Sequence, residues 1–267
     1  MPYRDDSPTL SEFDGIRYLH FGTKWVQGAM QINRPAKLVL DYTRQMMAWL
    51  LFMDPQSDDQ VGILGLGAGS LLRYTLKRTP VHVETVEWNP RVTAMCRAYF
   101  RLPESDLSVI THADAGDWVN ESRNRNRFSA LMIDLYDAQA EGPVRGSSEF
   151  YEGCRRTLND AGILVVNLFG NHSSFPYNIQ NLRHAFGANV LQLPQTTAGN
   201  RVVLAFSDSV LQQTTADLMD RAHHVMNHYN LPAVQWARAL LDQRDAVPAV
   251  GQGGSDCDYK TGISLEA

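Results

Sequence analysis

The chain has 267 residues, 44% of them hydrophobic, with 29 acidic against 24 basic side chains and a formal charge of −5. That is enough to bury a full core, and the absence of any Lys/Arg-rich run argues against a nucleic-acid partner. Cys96, Cys154 and Cys257 are few, scattered and odd in number, no apolar run approaches the ~20 residues of a membrane span, and the polar start lacks a signal core, so a cytoplasmic protein without a disulfide frame, metal cluster or membrane partner is expected.

Residues 1 to about 14 are polar and read as loose. Ile16-Arg-Tyr-Leu-His-Phe21, Trp25-Val-Gln-Gly-Ala-Met30 and Lys37-Leu-Val-Leu40 alternate and are bounded by Gly22 and Pro35, so two or three antiparallel strands are expected. A helix over Asp41 to Met53 follows, with Asp41 as its N-cap and Tyr42, Met46, Trp49, Leu50 and Met53 on one face. Strands over 61–66, 82–88, 107–112, 128–134 and 162–169 then alternate with helices near 70–78, 90–100, 115–123, 147–159 and 175–186. Asn189–Leu193 and Arg201–Phe206 read as a closing antiparallel pair. Helices over 209–229 and 232–243 precede a Gly-rich tail. The expected fold is α/β: a doubly wound, Rossmann-like, mostly parallel seven-stranded sheet with a small N-terminal antiparallel β segment. The expected division is a β segment and lead-in helix over 1–54, a nucleoside-binding domain over 55–250 and a tail over 251–267.

The stretch that organises this pattern is Val61-Gly-Ile-Leu-Gly-Leu-Gly-Ala-Gly-Ser70, in which Gly65, Gly67 and Gly69 lie between a strand and a helix start. Such a turn lets a ligand approach the backbone and presents helix N–H groups to it. Eighteen residues beyond Gly69 stands Glu87, at the end of the next strand, where an acid holds ribose hydroxyls. The G-x-G-x-G spacing resembles that of the S-adenosylmethionine-dependent transferase fold of methyltransferases. In open α/β sheets ligands sit at the carboxyl ends of the strands. Those ends supply Asp114, an acceptor for an adenine amino group or a helix N-cap, and Asp134, a carboxylate that burial would turn into a base. Asp137 is a second acid that could hold an ammonium group, and Trp88 is placed to flank the adenine. His224 and His228 lie four apart, but no H-E-x-x-H pattern accompanies them, and no metal is expected. Trp25, Trp49 and Trp118 are read as core residues.

With these motifs the chain resembles the spermidine synthase (polyamine aminopropyltransferase) family, from about Trp25 to Phe206. The resemblance rests on Val86-Glu-Trp-Asn-Pro90, His112-Ala-Asp-Ala115, Asp134-Leu-Tyr-Asp137, Phe150-Tyr151 and Leu158-Asn-Asp-Ala-Gly-Ile163. It implies transfer of an aminopropyl group from decarboxylated S-adenosylmethionine to a polyamine-type amine. Asp134 would be the general base, Tyr42, Tyr136 and Asp137 would bind the acceptor, and Gln27, Gly65, Gly67, Gly69, Glu87, Trp88, Asp114 and Ala115 would hold the nucleoside. A homodimer through the N-terminal β block is implied in the same way. The chain departs from the family pattern at Ala68, where an aspartate binds the aminopropyl amine, at Thr43 in place of a histidine, and at Ala138 in place of a proline. These departures keep two alternatives in view: methyl transfer from ordinary S-adenosylmethionine, and a catalytically weak adenosyl-nucleoside-binding protein.

Overall fold

The structure, a computed structural model, describes residues 7–136, 144–207 and 213–246. Chain order begins with an antiparallel sheet of β1 (Pro8–Phe13), β2 (Ile16–Phe21) and β3 (Gly28–Gln31). Residues 8–13, expected to be loose, are therefore a strand. The cause is Asp14-Gly15, which turns with φ values of 49° and 71° and closes a hairpin in which Phe13 pairs with Ile16. Lys37–Leu40 is not a strand: the segment turns, with the Lys37 N–H donating to the Arg34 carbonyl, and Leu38 is buried in the core.

The expected helix from Asp41 is one α-helical turn, α1 (Asp41–Gln45), that tightens into a 3₁₀ segment over Met46–Leu51. Every residue of the 3₁₀ segment is buried. Leu40, not Asp41, occupies the N-cap, and Asp41 lies in the first turn, 3.8 Å from Arg44.

The main sheet follows as β4 (Gln60–Leu64), β5 (His82–Val86), β6 (Ser108–Thr111), β7 (Phe128–Ile133), β8 (Leu158–Phe169), β9 (Val190–Gln192) and β10 (Asn200–Phe206). Between them lie α2 (Ser70–Arg78), α3 (Pro90–Tyr99), α4 (Ala115–Trp118), α5 (Ser148–Thr157) and α6 (Phe175–Phe186). Helices α7 (Thr215–Tyr229) and α8 (Ala233–Ala246) end the described chain. The strand order is β6-β5-β4-β7-β8-β10-β9, parallel except for β10, which is antiparallel to both β8 and β9.

Central strands are buried on both faces, so their residues alternate between two cores. Ala130 and Met132 of β7, with Ile163 and Val165 of β8, join the core that also holds Met46–Leu51, α2 and α7. Leu131, Ile133, Leu164 and Val166 join the opposite core with Trp118, Tyr151 and Leu182. The chain runs β4 to β6 in one direction and then crosses to β7, so the strand order reverses between β4 and β7. That reversal opens a crevice at their carboxyl ends.

Candidate active site

Two strand ends meet at the crevice. Gly65 follows β4, Asp134 follows β7, and the Asp134 N–H donates to the Leu64 carbonyl at 2.9 Å. Gly65 has φ 94°, and a Cβ there would collide with the Asp134 carbonyl oxygen, so only glycine lets the two ends close up. The turn is clamped from beneath by Arg73, whose guanidinium donates to the carbonyls of Pro35 (2.8 Å), Ala68 (2.5 Å) and Phe100 (2.8 Å). Burial lowers its pKa to about 10. Strand β3 lies across the turn, and a Cβ on Gly28 would sit 2.6 Å from that of Ala68. This contact brings Gln27, the residue before β3, to the crevice wall.

The crevice encloses about 680 Å³ and is lined by Gln27, Tyr42, Gly65, Gly67, Glu87, Trp88, Asp114, Ala115, Asp134 and Tyr136 among others. These ten positions, scattered over the sequence, share one wall. Gly69 does not line it; with φ 72° it ends the turn and starts α2. Asp137 and Ala138 lie outside the described residues. Ala68 is buried against Gly28 and is not a lining residue, and the Thr43 hydroxyl donates to the Leu40 carbonyl at 2.6 Å. Trp49 and Trp118 are fully buried, as expected of core residues, but Trp25 is not: it is 51% exposed and lines the crevice, as does Trp88 at 62%.

Each carboxylate is held differently. Glu87 is buried and accepts from the backbone N–H of Leu66 (3.2 Å) and Asn89 (2.8 Å), tying the strand end to the glycine turn. Burial pushes its pKa up, and the backbone donors oppose the shift. Asp114 is the N-cap of α4: one oxygen accepts from the N–H of Gly116 (2.7 Å) and Asp117 (3.3 Å), and the other pairs with Arg145 at 2.5 Å. Partial burial raises its carboxyl, but Arg145 and the two N–H groups outweigh it and the pKa is lowered.

Asp134 accepts from the Tyr42 hydroxyl at 3.1 Å and from the Asn167 amide at 2.9 Å. Burial raises its pKa, with both hydrogen bonds acting against the shift. Tyr42 is pushed well above its ordinary value by burial and by the Asp134 charge, so it remains the donor. Sequence reading passed over Asn167, Asn200 and Arg145, all of which line the crevice. Asn167 stands near the carboxyl end of β8, the fifth strand of the main sheet, where its place at a strand end is the signal that marks it. Nothing local marks Arg145 or Asn200.

No family model matches the chain. The polyamine aminopropyltransferase of Neisseria meningitidis serogroup A is 34% identical over 226 residues, which cover 83% of this chain and 84% of that protein. The chain belongs to the polyamine aminopropyltransferase family. The family is one of transferases, and the fold agrees with it. A probable spermidine synthase from Corynebacterium glutamicum superposes with a TM-score of 0.66 at 17% identity, covering 96% of this chain and 95% of that one. A spermidine synthase in complex with the transition-state analogue AdoDATO superposes with a TM-score of 0.60 at 17% identity, covering 87% and 84%.

Proposed function

We propose that this polyamine aminopropyltransferase homologue moves an aminopropyl group from decarboxylated S-adenosylmethionine to a small polyamine-type amine, with Asp134 as general base. The observation that carries the reading is the Asp134 carboxylate, held by Tyr42 and Asn167 on the wall of the crevice that also contains the glycine turn and Glu87. The charged lining residues are Asp41, Glu87, Asp114 and Asp134 against Lys24 and Arg145, an acid excess suited to a sulfonium donor and an ammonium acceptor. Glu87 accepts the ribose hydroxyls, while Gln27, Gly65 and Gly67 shape the nucleoside's bed and Gly69 ends the turn that carries the other two glycines. Trp88, Asp114 and Ala115 take the adenine side. Tyr42, Tyr136 and Asp137 orient the amine.

In the reaction Asp134 removes a proton from the acceptor ammonium, and the freed nitrogen lone pair attacks the carbon next to the sulfonium. That C–S bond breaks as the C–N bond forms, and the sulfur leaves with the bonding pair as a neutral thioether nucleoside. There is no covalent enzyme intermediate, so placing nitrogen and carbon in line supplies most of the rate. Ala68, standing where the family pattern has an aspartate, leaves methyl transfer from the carboxylated nucleoside as the competing outcome. The reading extends to a cytoplasmic homodimer, with the chain dividing near residue 54 into a β segment and a transferase domain.

The test is incubation of the purified protein with putrescine and either nucleoside, followed by mass analysis of the amine and calorimetry of both nucleosides. An aminopropyl adduct formed from the decarboxylated nucleoside supports the proposal. Tighter binding of the carboxylated nucleoside with no turnover of putrescine overturns it.

A further inference from the structure

The contacts that hold Asp134 continue beyond its own partners. Asn167 donates through Nδ2 to Asp134 Oδ1 at 2.9 Å, and its own Oδ1 accepts from Asn200 Nδ2 at 3.0 Å. Both amides are buried, at 2% and 6% exposure, so water does not replace either partner. Strand register explains the meeting. Ile133 of β7 pairs with Val166 of β8, which sets Asp134 beside Asn167. Across β8 and β10, Asn167 is opposite Val202, and Asn200, two residues away, is its diagonal neighbour on the same face. The backbone of Asn200 is fixed in turn: its N–H donates to Thr196 Oγ1 (3.1 Å), and its carbonyl accepts from the Thr196 N–H (2.8 Å).

An asparagine amide has one accepting end and one donating end, and it can be flipped with little change in shape. Flipped, Asn167 would set its carbonyl oxygen against the Asp134 carboxylate and its NH₂ against that of Asn200. Both contacts would then be repulsive. We propose that Asn200 is a positioning residue for the transfer: by donating to Asn167 it keeps an N–H aimed at Asp134 and so holds the base ionised and in one rotamer. The inference rests on reading Asp134 as the base, and it makes Asn200, on a strand remote in sequence, part of the machinery without touching the reacting atoms. The other groups that bear on Asp134 are Tyr42, from α1, and Tyr136, whose hydroxyl is taken by the Asn167 carbonyl at 2.9 Å. Lys24, Asp41, Glu87, Asp114 and Arg145 share the crevice wall.

The experiment compares wild type with Asn200→Leu and Asn200→Ala as full chains, the leucine filling the space of the amide in case truncation collapses the site. Aspartate carboxyl carbons are titrated by NMR, with Asp134 assigned from its disappearance in Asp134→Asn. Steady-state rates are measured with decarboxylated S-adenosylmethionine and putrescine. In both variants the Asp134 carboxyl is expected to titrate at higher pH than in wild type. The kcat is expected to fall about tenfold at neutral pH, with amine KM and nucleoside affinity unchanged. An unmoved Asp134 titration overturns the proposal. A raised amine KM with that titration unmoved does so too, making Asn200 an acceptor contact. Absence of aminopropyl transfer by wild type would sink the proposed function, while the titration still judges Asn200 on its own.

Discussion

Burial sets the protonation of the Asp134–Tyr42 pair before any substrate arrives. Burial raises the Asp134 carboxyl from its ordinary 3.8 and Tyr42 above 10, so the tyrosine keeps its proton and is the donor to Asp134 over the neutral range. A base must be ionised to act, so the acidic limb of the kcat/KM profile is expected above the ordinary carboxylate range; a limb at or below pH 3.8 would contradict the assignment. The same shift has a sign in stability. A carboxyl whose folded pKa is raised binds protons more readily in the folded state, so it takes stability away as pH climbs from 3.8 through the folded pKa. Asp134→Asn removes that loss. Its melting temperature relative to wild type is expected to be higher at pH 8 than at pH 4, which scanning calorimetry checks. Glu87, raised by burial as well, contributes a slope of the same sign to both proteins and cancels in the comparison.

At the scale of elements, the glycine turn has the least freedom. A side chain at Gly65 would face both an unfavourable φ and the Asp134 carbonyl, so Gly65→Ala is expected to cost at least about 1–3 kcal/mol and to abolish nucleoside binding. Denaturant midpoints and calorimetry read the two effects separately. This turn and the strand–helix alternation were legible because parallel strands buried on both faces appear as continuous apolar runs ending at polar or glycine residues. The first hairpin was missed although Asp14-Gly15 marks its turn, because β1 is an exposed edge strand held by pairing rather than burial and its residues read as loose. The tightening of α1 into a 3₁₀ segment was not legible. Met46–Leu51 is apolar all round and buried in one core, so no polar face marks where the winding changes. On the crevice wall, Glu87, Asp114 and Asp134 were legible as strand ends and Gln27 and Tyr42 through the family resemblance, while Asn167, Asn200 and Arg145 were missed. Asn200 is placed by the β8–β10 register and Arg145 by its ion pair with Asp114, neither of which a local pattern encodes.

Across the whole molecule, the sheet brings the crevice together and the helices on its faces hold the sheet. Arg221 of α7 reaches back to the lead-in segment, donating to the carbonyls of Leu50 (2.8 Å) and Met53 (2.6 Å) and pairing with Asp54 at 2.9 Å. Arg221→Ala leaves two carbonyls without that donor and is expected to cost about 1–3 kcal/mol, read as a lower melting temperature with kcat unchanged. A loss of kcat at full stability would show that α7 acts on the site. The central claim, that Asp134 takes the proton in aminopropyl transfer, is tested most directly by single-turnover kinetics with decarboxylated S-adenosylmethionine and putrescine, comparing wild type with Asp134→Asn. The variant is expected to bind the nucleoside as wild type does and to transfer about 10²–10⁴-fold more slowly. Transfer at the wild-type rate by Asp134→Asn would contradict the claim.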